Sequence, residues 1–418
     1  PIVETGFEPA IIIIKRTDAS ANWISFNNAS STSNPRDKEL YPNGSYTESD
    51  VDTINFLENG FQIITSQSNS NASGGTYIYA AWAADPSTTT PSLANSFATE
   101  IYSGNSSTQQ VTSGFTTDLA FIKARTSPGL NNWVSFDTVR YMVGNPSNRL
   151  LPSTTSAESN WAPTAGISAA DATSITIKDP GSQGYGLNES GYNYVTYNWK
   201  GGGVASINTD GTANSVVSAN QAAGFSIVSF SNTNSTTNTF GHGLGGQPEL
   251  VIIKPTSISA NWFVYADSLG KSKRLLLDTD AAESSWSAND GWNTSNGISS
   301  STISFAYSGT TYPFIAYCFK SISNYSKVGT YTGDGAAGNE INVGFQPTWV
   351  LSKPSSASGS WIVIDSARGA NKQLYVDQDA DEATESGNSL TTTGFEFGTS
   401  TGGNTSGVDY IYLAIKEN

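Results

Sequence analysis

The 418-residue chain has one cysteine, one histidine and one methionine, and only 13% of its residues are charged. A lone cysteine, Cys318, excludes an intrachain disulfide and any Cys-x-x-Cys metal or redox motif. A lone histidine, His242, leaves one place where an imidazole base could act. It lies in "FGHGLGGQP", a glycine-rich turn leading into a strand, so a turn role is expected rather than a catalytic one. Those glycines do not make a phosphate loop either, because no helix pattern follows and no Lys-Ser or Lys-Thr ends the run. No stretch is apolar for the length of a membrane helix, and "AIIIIK" is only strand-long, so membrane insertion is not expected. Basic residues are scarce: 20 Lys and Arg stand against 35 Asp and Glu, a net charge of −15. With no basic cluster to meet phosphates, nucleic acid is not an expected partner, and the acidity is read as serving solubility. The first residue is Pro1 and the only methionine is Met142, so the start as written is expected to be processed or truncated.

What the chain does have is aromatic area: 19 Tyr, 18 Phe and 10 Trp among abundant Ser, Thr, Asn and Gly. Such area takes it out of the disordered class. No segment keeps a helical period, so a β-rich fold with almost no helix is expected.

Five landmarks recur four times in constant order. A short apolar strand ends in Lys15, Lys123, Lys254 or Lys353, and a tryptophan follows at Trp23, Trp133, Trp262 or Trp361. Next come Leu40, Leu150, Leu275 and Leu374, then a glutamate at Glu48, Glu158, Glu283 and Glu385. Each copy closes on an aromatic strand: "TYIYAAW", "NYVTYNW", "YPFIAYCF" and "DYIYLAIK". Steps of 110, 129 and 99 residues between the tryptophans match small β-sandwiches rather than solenoid coils. The expected architecture is therefore all-β, a tandem array of four related β-sandwich, jelly-roll-like modules. Their boundaries are placed at 1–86, 87–203, 204–322 and 323–418. The second is the divergent copy, carrying insertions such as "KDPGSQGYGLNES", and "ADPSTTTPS" (84–92) reads as the first linker.

Strand alternation assigns the faces. Ile24 and Phe26, Val134 and Phe136, Phe263 and Tyr265, and Ile362 and Ile364 form a constantly apolar set that must point into each sandwich. The tryptophans then point the opposite way, to be covered by a loop or a neighbouring chain. Lys and Trp meet across an antiparallel pair, which predicts a cation–π contact worth about 0.5–2 kcal/mol. A second reading has the indole stack on a sugar ring.

Acidic chemistry is sparse in pattern. "DQDADEATE" places Asp377, Asp379 and Asp381 at alternate positions, a weak candidate calcium site that lacks the turn glycine of an EF-hand. Paired carboxylates of the glycosidase kind cannot be read from spacing alone. No catalytic residue and no cofactor is expected.

The segments "GFSIVSF", "FGHGLGGQPELVIIK", "NWFVY", "YSKVGTYTGDG", "GFQPTWVLSKP" and "SWIVIDSARG" resemble the repeated β-modules of structural proteins of tailed bacteriophages, especially phages of marine bacteria. The resemblance covers residues 204–418, extends to 3–82, and is looser over 103–200. It implies a non-enzymatic virion fibre or appendage, such as a tail fibre, on the particle surface and outside the cell. Implied partners are copies of the chain itself, as a homotrimer or other homo-oligomer, other virion proteins reached through a preceding segment, and host surface glycan. Competing readings are a glycan-binding adhesin, a depolymerase of host polysaccharide, and a capsid decoration or extracellular filament subunit.

Overall fold

The computed structural model describes all residues except 6, 32, 33, 51, 58, 59, 84–94, 127–131, 141–147, 161–165, 179–185, 233–237, 308–310, 400, 401 and 418. The linker at 84–92 and most of "KDPGSQGYGLNES" lie outside the described residues. All pairings between the described strands are antiparallel, and the only helical pieces among the described residues are the single 3-10 turns Thr138–Arg140 and Asp267–Leu269.

The same sheet is built in every repeat. The strand that begins at the repeated tryptophan or the residue after it pairs with the lysine strand, and the closing aromatic strand pairs with the lysine strand's other edge. In the first repeat the order is Trp23–Asn27, Pro9–Arg16, Tyr77–Ala83, with Lys15 opposite Trp23. In the second it is Val134–Asp137, Leu119–Ala124, Asn193–Trp199, extended by Phe97–Ser103. The third and fourth repeats elaborate this sheet to eight and six strands. A smaller two- or three-stranded sheet lies against one face in each case.

Alternation decides what lies between the two layers. Ile12, Ile14, Ile24 and Phe26 meet Ile54, Phe56, Phe61 and Ile63 in the first repeat. Ala120, Ile122, Val134 and Phe136 meet Ile167, Ile175 and Ile177 in the second, and equivalent sets fill the third and fourth. Among them are the residues that the period-two pattern assigned inward: Ile24, Phe26, Val134, Phe136, Phe263, Tyr265, Ile362 and Ile364.

The chain forms two compact units, Pro1–Pro91 and Ser92–Asn418. The boundaries expected at 203 and 322 fall inside the second unit. Repeats two, three and four are not strung as separate sandwiches, because the opposite faces of their large sheets are also apolar and are buried together. One continuous cluster takes Phe121, Trp133 and Tyr197 from the second repeat, Ile252, Trp262 and Tyr317 from the third, and Leu351, Trp361 and Leu413 from the fourth. Burying three outward faces on one another removes from water the apolar surface that a linear string would leave exposed.

Candidate functional site

The three junctions inside residues 92–418 are built from the repeated landmarks, and they close in a cycle. The Trp262 indole Nε1 donates to Leu151 O at 3.1 Å, Trp361 Nε1 to Leu276 O at 2.7 Å, and Trp133 Nε1 to Tyr375 O at 2.8 Å. Each acceptor is the residue immediately after the repeated leucine of another repeat. Third therefore binds second, fourth binds third, and second binds fourth. A parallel set of backbone bonds runs alongside: Glu158 N–H to Thr256 O, Glu283 N–H to Ser355 O, and Glu382 N–H to Arg125 O, at 2.7, 2.8 and 2.8 Å. The cycle identifies Glu382 as the counterpart of Glu158 and Glu283, correcting the assignment to Glu385. Glu382 follows Leu374 by the same eight residues that separate Leu150 from Glu158.

Trp133, Trp262 and Trp361 do leave the sandwich core as the alternation required, yet they are only 0%, 0% and 1% exposed. What covers them is the next repeat, not a loop of their own.

The lysines serve these junctions chiefly as hydrogen-bond donors. Lys254 Nζ donates to Thr155 O of the second repeat at 3.0 Å and to Ala260 O of its own loop. Lys353 Nζ donates to Asp280 O and Ala281 O of the third repeat at 3.0 and 2.8 Å, and to Gly359 O. Lys254 also lies 5.9 Å from the Trp262 ring centroid, the outer reach of a cation–π contact. Burial pushes these ammonium groups down, to about 8 for Lys254 and Lys353 and about 7 for Lys123, with neighbouring aspartates opposing the shift. Asp379 and Asp381 are the carboxylates opposing it at Lys123.

Sequence reasoning missed a buried polar cluster at two of the three junctions. Asp137 accepts Arg140 Nε at 2.6 Å and the Tyr317 hydroxyl at 2.8 Å, while Arg140 Nη1 reaches Glu158 at 2.8 Å. Asp365 likewise holds Arg368 Nε at 2.5 Å and the Tyr197 hydroxyl at 2.7 Å. At the third junction the equivalent positions are Ala266, Leu269 and Leu413, so carboxylate, guanidinium and phenol are all replaced by aliphatic groups together. The sequence signal was present as Asp-x-x-Arg after two of the tryptophan strands and not the other two.

The remaining candidates resolve into structural roles. His242 is buried; its Nδ1 accepts the Leu244 N–H at 3.2 Å, and its Nε2 lies 3.2 Å from Ser299 O. It stitches its turn to a neighbouring loop, and burial lowers its pKa. Asp377 Oδ1 accepts the Trp361 backbone N–H at 3.0 Å, as Asp278 does for Trp262. Among the described residues no group of three or more His, Cys, Asp and Glu side chains is placed to hold a metal ion.

A carboxylate pair does exist in the first unit. Glu39 Oε1 accepts the Tyr41 hydroxyl and Ser49 Oγ, and Asp52 Oδ1 accepts Ser70 Oγ and Thr65 Oγ1. Burial first, and then the facing Asp52, raises the Glu39 pKa. Among the described residues Glu39 Oε2 and Asp52 Oδ2 are buried with no hydrogen-bond partner. The pair is shut from solvent, whereas acid and base for glycoside cleavage must flank a bound sugar.

The first repeat carries the same landmarks in the opposite condition. Trp23 is 37% exposed, and the Lys15 ammonium is held only locally, by Ala21 O at 2.9 Å and Arg16 O at 2.8 Å.

No curated protein and no solved structure matches the chain. A family model does match it, over residues 1–86 and 92–418, with its break beside the boundary between the two compact units. The chain belongs to that family, a domain of unknown function designated DUF7483.

Proposed function

We propose that the chain is a non-catalytic structural protein of a tailed-bacteriophage virion, a fibre or appendage that builds surface on the outside of the particle. The observation that carries this reading is the use made of the repeated residues. In residues 92–418 the tryptophans, the residues following the repeated leucines, and the glutamates all serve contacts between repeats, and Lys254 and Lys353 do the same. A duplicated enzyme or lectin would instead keep its repeated polar residues around a cleft. The likeness of residues 204–418 to phage β-modules supplies the virion context. Copies of the chain, other virion proteins and host glycan are the partners that context implies. The test is mass spectrometry and immunogold labelling of purified particles from cells carrying the gene. Stoichiometric label on the particle surface supports the reading, and absence from particles overturns it.

A second reading, adhesion to host polysaccharide, is favoured by one feature. Trp23, Tyr79 and Trp82 of the first unit expose aromatic area of the kind that stacks on sugar rings. Retention of the chain on immobilised host glycan, abolished by Trp82→Ala, would establish it. Release of oligosaccharide would point instead to depolymerase activity.

A further inference from the structure

The outward sheet face of the first unit repeats, position for position, the faces that bury one another in residues 92–418, and it is bare. Ile11, Trp23, Leu40, Ile78 and Trp82 are 44%, 37%, 39%, 51% and 51% exposed. Their counterparts by register are Leu250, Trp262, Leu275, Ile315 and Phe319 in the third repeat, each no more than 6% exposed. We infer that this face is a homotypic interface: three copies of the chain assemble through their first repeats, forming between chains the ring that repeats two to four form within one. The inference names the partner and its binding surface for the structural role proposed above, and rests on that role.

Each first repeat has both halves of the junction. Lys15 is already posed by Ala21 O, as Lys254 is by Ala260 O and Lys353 by Gly359 O, each six residues further on. Thr17 N–H is fixed to Thr76 O, as Thr256 is to Pro313 O and Ser355 to Asp409 O, so the carbonyl that would accept the next repeat's glutamate N–H is in position. By the same register, Trp23 Nε1 donates to the partner's Tyr41 O, and Lys15 to the partner's Ser45 O. One repeat is a third of a ring, so two further copies complete it. The same patch meets a different edge of its neighbour, which is the heterologous contact that closes as a cycle.

Two observations select copies of this chain over other occupants. The three junction edges within residues 92–418 are each already engaged with another repeat of that unit. The polar cluster is also missing from both sides of the first repeat: Asn27 and Ser30 stand where Asp137 and Arg140 do, and Ala80 stands where Tyr197 does. The correspondence is firm because Asn27 Oδ1 accepts the Ser30 N–H at 2.8 Å, as Asp137 Oδ1 accepts that of Arg140 at 2.8 Å. A neighbour bearing the aspartate and arginine, or the tyrosine, would bury a polar group with nothing to meet it. A second copy brings neither an aspartate–arginine pair nor a tyrosine hydroxyl to that position.

The test uses the intact chain. Sedimentation equilibrium at micromolar concentration should give three times the 44.1 kDa chain mass. The double variant Ile78→Glu with Trp82→Glu, whose sites are exposed on the first unit, should give one chain mass with an unchanged circular dichroism spectrum. Ala21→Cys combined with Ser45→Cys should yield covalent trimers on oxidation, because those positions correspond to Ala260 N–H on Thr155 O and Gly359 N–H on Asp280 O. Neither single variant should cross-link to trimers. A wild-type monomer, a dimer, a trimer that survives Ile78→Glu with Trp82→Glu, or a double-cysteine chain without covalent trimers would each overturn the interface. Those failures leave the virion reading standing, since that reading fails only by absence from particles.

Discussion

Replacing the Asp137, Arg140 and Tyr317 cluster with the residues that the chain itself uses at its third junction isolates what the buried charges contribute. Arg140 is 6% exposed and Asp137 0%, so Arg140→Leu alone strands an aspartate in a dry interface. Removing one partner of such a pair costs about 3–5 kcal/mol. Asp137→Ala strands the guanidinium, although Glu158 at 2.8 Å still holds it, so this single change falls at the low end of that range. The triple variant D137A/R140L/Y317L reproduces the Ala266, Leu269 and Leu413 arrangement, leaving only Glu158, whose side chain is 23% exposed and stays hydrated. Its stability should lie within about 1–2 kcal/mol of wild type, because an aliphatic set recovers in packing what the ion pair recovers by attraction. Urea unfolding of the full chain, followed by circular dichroism, gives all three values. A triple variant as damaged as Arg140→Leu would refute the claim that the three junctions are interchangeable solutions to one packing problem.

Further expectations concern the same junctions. Trp262→Phe keeps most of the buried area and removes one donor from Leu151 O, which still accepts the Thr154 N–H at 3.1 Å, so urea unfolding should report a loss of about 0.5–1.5 kcal/mol, against about 3–5 kcal/mol for Trp262→Ala. Because Lys254 and Lys353 fall to about 8 on folding, the unfolded chain binds more protons than the native one above that pH. The second unit should therefore gain stability from pH 8 to about 10, measured as a rising melting temperature, and lose it again on acidification through pH 8. Above about pH 10 the trend should reverse, since burial holds Tyr197 and Tyr317 protonated in the native state while they ionise in the unfolded one. Glu39→Gln should be tolerated better than Asp52→Ala, because the amide oxygen still accepts the Tyr41 and Ser49 hydroxyls whereas Asp52→Ala strands those of Ser70 and Thr65; equal losses in thermal melts would contradict this.

The all-β class and the inward faces were legible because alternation fixes them: Ile24 and Phe26 cannot point inward unless Trp23 points out. Lys15 opposite Trp23 followed from the same reasoning. What covers the tryptophans was not legible, because the covering atoms are backbone carbonyls of Leu151, Leu276 and Tyr375, and any residue supplies a carbonyl. For the same reason the lysines read as cation–π partners when their first contacts in the third and fourth repeats are main-chain oxygens. The ring was hidden by an assumption that repeats lie in line. The Asp-Arg-Tyr cluster was legible in principle, since Asp-x-x-Arg in "FDTVR" and "VIDSAR" follows two of the four tryptophan strands and is absent from the others. Reading it required knowing that Tyr317 and Tyr197 belong to the neighbouring repeat.

Indole hydrogen exchange, observed with the ten tryptophans labelled at Nε1 and assigned through Trp→Phe variants, reaches the central claim most directly. The signals lost in Trp133→Phe, Trp262→Phe and Trp361→Phe should exchange only on opening of the ring, orders of magnitude more slowly than that of Trp82 in the Ile78→Glu background. Exchange of those three indoles as fast as Trp82 would show that the repeats do not seal one another, and the account would fail with them.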